Sequence, residues 1–345
     1  MQALSFFPIQ KFRFTIRAWQ PIALPHFAGY QIHGILGDYL MPAQCRAALG
    51  NKEQPCKTCP RRPACGFAYL YKPDARHIPD GGTKEEYPRP YIIDPSPVPA
   101  GGIGRNELYE FDITLIGRAV HFISEIIAAF LAAGQSGVFG IKGKSAEFDL
   151  VSVDVEQAGK HYAIFRNGRM DWLTYQPVNA SPVKPAPKSS IAAISLLTPW
   201  RIKEKGNLVE IHLLFSLITK SLVTRICDLY LAYICDQEYL LELAQPVRKD
   251  ECPFGKKIKG CPSASECEDL KQKAQDVILV DQQTNLIAPH HEPFDLDKWK
   301  KMGGLVGGVT YRGDMQPFMS ILQLGTHVHA GKLAMQGYGK YSMEC

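Results

Sequence analysis

GGLVGGVTYRGDMQPFMSILQLGTHVHAGKLAMQGYGKY, residues 303–341, decides how this chain is read. The apolar, β-branched run Leu305 to Tyr311 predicts a strand. Asp314 and Pro317 suit a helix entrance, Gly325 suits its exit, and a glycine loop then leads into a last strand. Gly331, Gly337 and Gly339 are expected to bare backbone N–H groups in that loop, while Lys332 and Lys340 add positive charge, a setting in which a phosphate can rest. Tyr338 and Tyr341 are expected to offer rings for stacking.

Working outward, the same layout occurs once earlier. Leu108 to Leu115 predicts a strand and Arg118 to Ala133 an apolar helix. GQSGVFGIKGK (Gly134 to Lys144) is again a glycine loop with two lysines, Lys142 and Lys144, before the alternating strand Glu147 to Val155. The repeat is in the order of elements more than in the letters, and it argues for two domains of one design. Further strands are expected at Lys11 to Trp19, Ile191 to Ile202 and Val277 to Asp281, with helices at Tyr30 to Met41 and Leu208 to Ile234. On the first strand Lys11, Arg13, Thr15 and Arg17 share one face, and Phe12, Phe14, Ile16 and Ala18 the other. Pro73 to Gly104, rich in proline and glycine, is expected to be an ornamented hairpin region. Each half fits βαββαβ, so the fold class is α+β, with tandem ferredoxin-like (RRM-like) βαββαβ domains.

At 345 residues and 46% hydrophobic content the chain can bury two ordinary cores. QPVNASPVKPAPKS, with four prolines and no apolar period, is the expected linker at 176–189. It separates a domain at 1–175, carrying a cysteine loop at 45–65, from one at 190–345. The apolar helix Ala119 to Ala133 is too short for a bilayer, and the N-terminus lacks a signal pattern, so a cytoplasmic protein without a membrane partner is expected. A net charge of +5 suits a polyanionic partner without requiring one.

YQIHGILGDYLM presents Ile32, Ile35, Leu36, Tyr39 and Leu40 as its buried stripe and places Tyr30, His33, Gly34 and Gly37 on another side. A glycine in a helix interior costs about 1 kcal/mol relative to alanine, so two on one face suggest that a backbone or a ligand passes close to it. The bland alternative is that the glycines pack against the sheet and His33 is a solvated surface residue.

Cysteines 45, 56, 59 and 65 follow C-x10-C-x2-C-x5-C in a polar loop. In a reducing compartment that pattern suits a tetrahedral thiolate site formed by Cys45, Cys56, Cys59 and Cys65, with structural zinc first and an iron–sulfur cluster using the same ligands; reduced unpaired thiols and a disulfide are the alternatives. Cys252, Cys261 and Cys267 form a looser set, with Cys235, His290 or His291 as conceivable fourth ligands. Cys227 is expected to be an ordinary buried residue.

IHGILG, the cysteine loop closed by CGFAYLYKP, LTPWRIKEKG and the terminal GLVGGVTYRGD…LGTHVHAGKLAMQGYGKY resemble the CRISPR repeat-processing endoribonucleases of the RAMP superfamily, in the branch with an N-terminal cysteine loop. The resemblance spans nearly the whole chain. It departs from the family where many relatives have Arg-Gly and this chain has His33-Gly34. It implies cleavage of precursor CRISPR RNA within each repeat, without a catalytic metal, by attack of the ribose 2′-OH on the adjacent phosphate. His33, matching a recurrent histidine on the first helix, becomes the first candidate for general base or acid. Tyr30 is a candidate partner, His329 a second proton-transfer group and Lys332 a phosphate stabiliser, with His26 and His327 in reserve. His329 has a rival role, bonding a neighbouring carbonyl to fix the glycine loop. Lys142, Lys144, Gly331, Gly337, Tyr338, Gly339 and Lys340 are the expected RNA contacts. Arg248, Lys249, Lys256, Lys257 and Lys259 form a second basic region. The implied partners are CRISPR repeat RNA and a CRISPR effector complex. The rival classes are a non-catalytic RAMP-type RNA-binding subunit and an iron–sulfur or zinc sensing protein.

Overall fold

The computed structural model describes residues 7–45, 56, 59–72, 88–141, 145–157, 160–171, 188–234, 264–287 and 303–344. The chain divides into two compact units, one of residues 10–77 and 89–178, the other of residues 1–9, 78–88 and 179–345. The expected linker lies mostly outside the described residues, as do Lys142, Lys144, Cys252, Cys261 and the basic region from Arg248 to Lys259.

The first unit follows β1 (Ile9–Ala18), α1 (Gly29–Gln44), α2 (Gly66–Tyr71), β2 (Tyr91–Pro95), β3 (Leu108–Ile116), α3 (Ile123–Gln135), β4 (Phe148–Gln157), β5 (Lys160–Arg166) and β6 (Arg169–Met170). Its six strands stand in the order β2-β3-β1-β4-β5-β6. The first four of these strands, with α1 and α3, make a ferredoxin-like βαββαβ unit. β5 and β6 extend it through a hairpin turned at Asn167 and Gly168, both at positive φ (51° and 77°), as an Asn-Gly turn favours. β1 alternates as its sequence requires: Phe12, Phe14, Ile16 and Ala18 are buried. Phe14 stacks on Phe111 with ring centroids 5.3 Å apart and meets Phe130 of α3 at 5.2 Å, joining sheet to helix. The opposite, basic face is partly neutralised. Lys11 Nζ and Arg13 Nε lie 2.8 and 3.0 Å from Asp112. Burial pushes the Asp112 carboxyl up, but hydrogen bonds from Arg13 and Lys11 outweigh it and hold it below its ordinary range. Gly117–Gln135 is apolar and long enough by composition to cross a membrane, yet most of it is buried inside this unit, as a core helix is.

The second unit repeats the plan with β7 (Ile191–Trp200), β8 (Lys203–Glu204), β9 (Asn207–Leu208), α4 (Phe215–Tyr233), β10 (Ile278–Ile287), β11 (Gly304–Arg312), the helix Met319–Val328 and β12 (Tyr341–Glu344). Its sheet order, β10-β11-β7-β12, is again the second, third, first and fourth strand of a βαββαβ unit. α4 starts at Phe215 because β8 and β9 first pair as a small hairpin. The Met319–Val328 helix runs past Gly325, which is interior. A Cβ there would collide with the Tyr341 hydroxyl and approach Leu222 of α4 to 2.6 Å, so glycine lets helix, helix and strand pack closely. Trp200, 1% exposed, meets Tyr341 edge-on at 5.1 Å and donates its indole N–H to Lys340 O at 3.1 Å.

Candidate functional site

In the first unit α1 carries His33 into a cluster of aromatic rings. Its Nδ1 lies 2.9 Å from Tyr91 Oη, and the imidazole stacks against Tyr71 and Tyr91 with centroids at 5.3 and 6.0 Å. The Tyr71 hydroxyl donates to His33 O at 2.7 Å. Gly37 makes this possible, since a Cβ there would sit 2.8 Å from the Tyr71 ring. Gly34 has nothing within 4 Å of where its Cβ would stand. The two helix glycines therefore serve different ends. One admits a side chain of α2, and the other leaves open surface beside the histidine.

The electrostatics favour a neutral imidazole. Burial, then the nearby Arg89 guanidinium, lowers the His33 pKa to about 4. Burial first, with Tyr91 beside it, pushes the Tyr71 phenol far up, so it stays a donor. Arg89 completes the cluster: its Nη1 is buried without a hydrogen-bond partner among the described residues. Sequence reasoning passed over Tyr71, Tyr91 and Arg89. The available signal was Pro88-Arg89-Pro90-Tyr91, a cation and a phenol on backbone stiffened by two prolines. Tyr30, one turn before His33, is 49% exposed, and His26 is exposed.

In the second unit the glycine loop differs from its expectation. Its N–H groups are already bonded within the protein: Gly331 N to Ser221 Oγ at 3.0 Å, Lys332 N to Arg201 O at 3.0 Å, Gly339 N to Pro199 O at 3.1 Å, and Lys340 N to Thr198 Oγ1 at 2.9 Å. Gly331, Gly337 and Gly339 all sit at positive φ, and a Cβ at Gly339 would collide with Ala330 O. The glycines thus clasp the loop onto the end of β7 rather than bare a backbone nest. Tyr338 is fully buried, and Tyr341 nearly so, making both rings core rather than stacking surfaces. Lys332 and Lys340 are half-buried.

His329 is 3% exposed, and its Nδ1 meets Tyr338 O at 3.1 Å. Burial, then Arg225 and Lys340, lowers its pKa to about 3. Its surroundings are those of a neutral histidine tying the two ends of the loop together. His327 is exposed.

The cysteine loop gives no thiolate cage as placed. Cys45, Cys56, Cys59 and Cys65 are half-buried free thiols, and no group of three or more His, Cys, Asp or Glu among the described residues is arranged to hold a metal. Cys65 is engaged locally: it caps α2, with Sγ accepting from Ala68 N at 3.4 Å. Most residues between the four cysteines lie outside the described set. Cys227 is buried in α4.

Comparison with known proteins follows the same division. An N-terminal-domain family model matches residues 7–179, and the model of the CRISPR-associated endoribonuclease Cas6 matches residues 194–341. No curated protein matches the chain. Among solved structures, a Cas6 product complex is 15% identical, with 98% of this chain and 99% of that one covered and a TM-score of 0.51. Thermus thermophilus Cas6 is 14% identical over 98% and 99%, with a TM-score of 0.47. At such identity the first of these supports the fold, the tandem ferredoxin-like arrangement, and nothing finer. Residues 194–341 thus carry a domain of the CRISPR-associated endoribonuclease Cas6 family, and the whole chain shares the fold of the Cas6 product complex.

Proposed function

We propose that this chain cleaves precursor CRISPR RNA within its repeats by attack of the ribose 2′-OH on the neighbouring phosphate, leaving a 2′,3′-cyclic phosphate and a 5′-OH. The observation that carries the proposal is the His33 cluster, which gathers a neutral imidazole from α1, phenols from α2 and β2, and the guanidinium of Arg89 just before β2. In-line transesterification requires proton removal from the 2′-OH, proton delivery to the departing 5′ oxygen, and positive charge beside the phosphorane.

His33 can serve either proton step, because Tyr91 Oη fixes only Nδ1. When Nδ1–H donates to Tyr91, Nε2 carries a lone pair and accepts the 2′-OH proton. The imidazolium formed in that step then has an Nε2–H to give to the departing 5′ oxygen. In this reading the phosphate enters over the open surface at Gly34 and is received by the Arg89 guanidinium, whose buried Nη1 has no hydrogen-bond partner among the described residues. Tyr30, exposed on the same helix, is read here as an RNA contact rather than a holder of His33. The partner is repeat RNA. A Cas6-RT-Cas1–Cas2 complex among the fold relatives makes retention in a larger CRISPR assembly part of this reading. All the chemistry proposed runs through side chains, so no metal is required.

Single-turnover cleavage of labelled repeat RNA in EDTA, beside an RNA with one 2′-deoxy at the cut site, tests the proposal. Cutting that survives chelation and vanishes with the deoxy sugar is expected. Cutting of the deoxy RNA, or tight binding by folded protein without cutting, overturns it and favours a non-catalytic RNA-binding subunit.

A further inference from the structure

α4 is buried along most of its length, yet one stripe of it is built of donors. Lys220, Ser221, Thr224 and Arg225 recur at three- and four-residue spacing and line a cavity of about 230 Å³, far above the roughly 15 Å³ that one water needs. Arg201 and Lys203, just past β7, and Lys332 of the glycine loop close it, and Asp228 is the one carboxylate in the lining. Arg225 is the built part of the site. It is 8% exposed, its Nε donates to Val328 O at 2.6 Å, and its Nη2 is buried with no hydrogen-bond partner among the described residues. Asp228, three residues on, sets a carboxylate charge against this guanidinium, but Nη2 still lacks the acceptor that a buried donor needs. Ser221 accepts from Gly331 N at 3.0 Å, which leaves its hydroxyl proton to donate inward. Lys203 and Lys220 are exposed, and neither has an ion pair among the described residues.

We infer that this cavity beneath the glycine loop is a phosphate site whose occupant is a backbone phosphate of the bound RNA. The inference rests on the proposed function for its source of phosphate but not for its chemistry. Because the loop N–H groups are spent, the anion is received by side chains of α4, and the loop acts as the clasp that holds one wall in place.

The test uses the full chain and two substitutions, Lys220→Gln on the exposed rim and Arg225→Gln at the buried wall. The Arg225→Gln variant is used only if its melting temperature stays near that of the unaltered protein. The first arm measures affinity for the 2′-deoxy, non-cleavable repeat RNA across a salt series. Each lost phosphate contact should reduce the slope of log K against log salt by about 0.7 to 0.9 and weaken binding at low salt. The second arm measures the rise in melting temperature on adding inorganic phosphate, against chloride at equal ionic strength. A reduced slope together with a lost phosphate-induced rise supports the inference. A lost rise with an unchanged RNA slope overturns RNA as the source and leaves a site for free phosphate. An unchanged slope and an unchanged rise for Lys220→Gln overturn the site itself. Phosphate binding is read here without cleavage, so a protein that never cuts RNA but shows the first result would refute the proposed function and keep the site.

Discussion

Two histidines, one in each ferredoxin-like unit, have the same kind of depressed pKa and opposite surroundings. His33 stands beside an open glycine and meets a phenol, while His329 is sealed and meets a carbonyl. Burial alone therefore does not mark a catalytic histidine. What separates them is the second nitrogen, which at His33 remains available next to open surface and to an arginine whose Nη1 has no hydrogen-bond partner among the described residues. Replacing each residue in turn sharpens or breaks that contrast.

The largest effect is expected at His33. His33→Ala should lower single-turnover cleavage by about 10²- to 10⁴-fold, the range for a lost general acid or base, with RNA affinity nearly unchanged. A full cleavage rate in that variant would sink its assignment. Arg89→Gln should cost about 10²-fold in the same assay, as a lost charge-stabilising donor does, with only a small change in melting temperature. His329→Ala should behave in the opposite way. It removes the hydrogen bond to Tyr338 O and leaves a void beneath the loop, so denaturant unfolding should show about 1 to 3 kcal/mol of lost stability, with the folded fraction still cutting.

pH extends the contrast. Both native pKa values, about 4 and about 3, lie below the 6.5 of an unperturbed imidazole, so the unfolded chain takes up these protons first. Their contribution to stability is complete above about pH 6.5. It falls as pH drops through the window toward 4 for His33 and on toward 3 for His329, by about 1.4 kcal/mol per pH unit for each group. Denaturation followed from pH 7 to pH 4 should show that loss, with His329→Ala flattening it. The acid limb of cleavage by the free enzyme should lie nearer pH 4 than 6.5.

The smallest effects concern the helix glycines. Gly37→Ala pushes into the Tyr71 ring and should destabilise by about 1 to 3 kcal/mol. Gly34→Ala meets nothing and should stabilise by up to about 1 kcal/mol in thermal unfolding. If RNA crosses that face, the same alanine weakens its binding.

Much of this architecture was legible because it depends on local patterns. Alternation in β1 and the repeated strand–helix–glycine order led to both βαββαβ units. Misreadings arose where a local signal had a distant partner. Gly325 looked like a helix exit, but its glycine serves the Tyr341 hydroxyl and Leu222. The loop glycines looked like a nest for an anion, but their N–H groups bond to residues of β7 and α4 far away in sequence. The Asn167-Gly168 hairpin was a local signal that went unused. At the candidate site His33 stood out by its helix face. Tyr71, Tyr91 and Arg89 did not, because no spacing rule connects residues brought together only by folding.

Trp200 turns the clasped loop into something that can be watched. Its indole is shielded from water, hydrogen-bonded to Lys340 O and set edge-on to Tyr341, so it reports optically on whether the clasp is shut. Its emission should lie to the blue of that from Trp19, which is 54% exposed. A shift of this buried component when RNA is added would time the rearrangement of the loop without any attached dye.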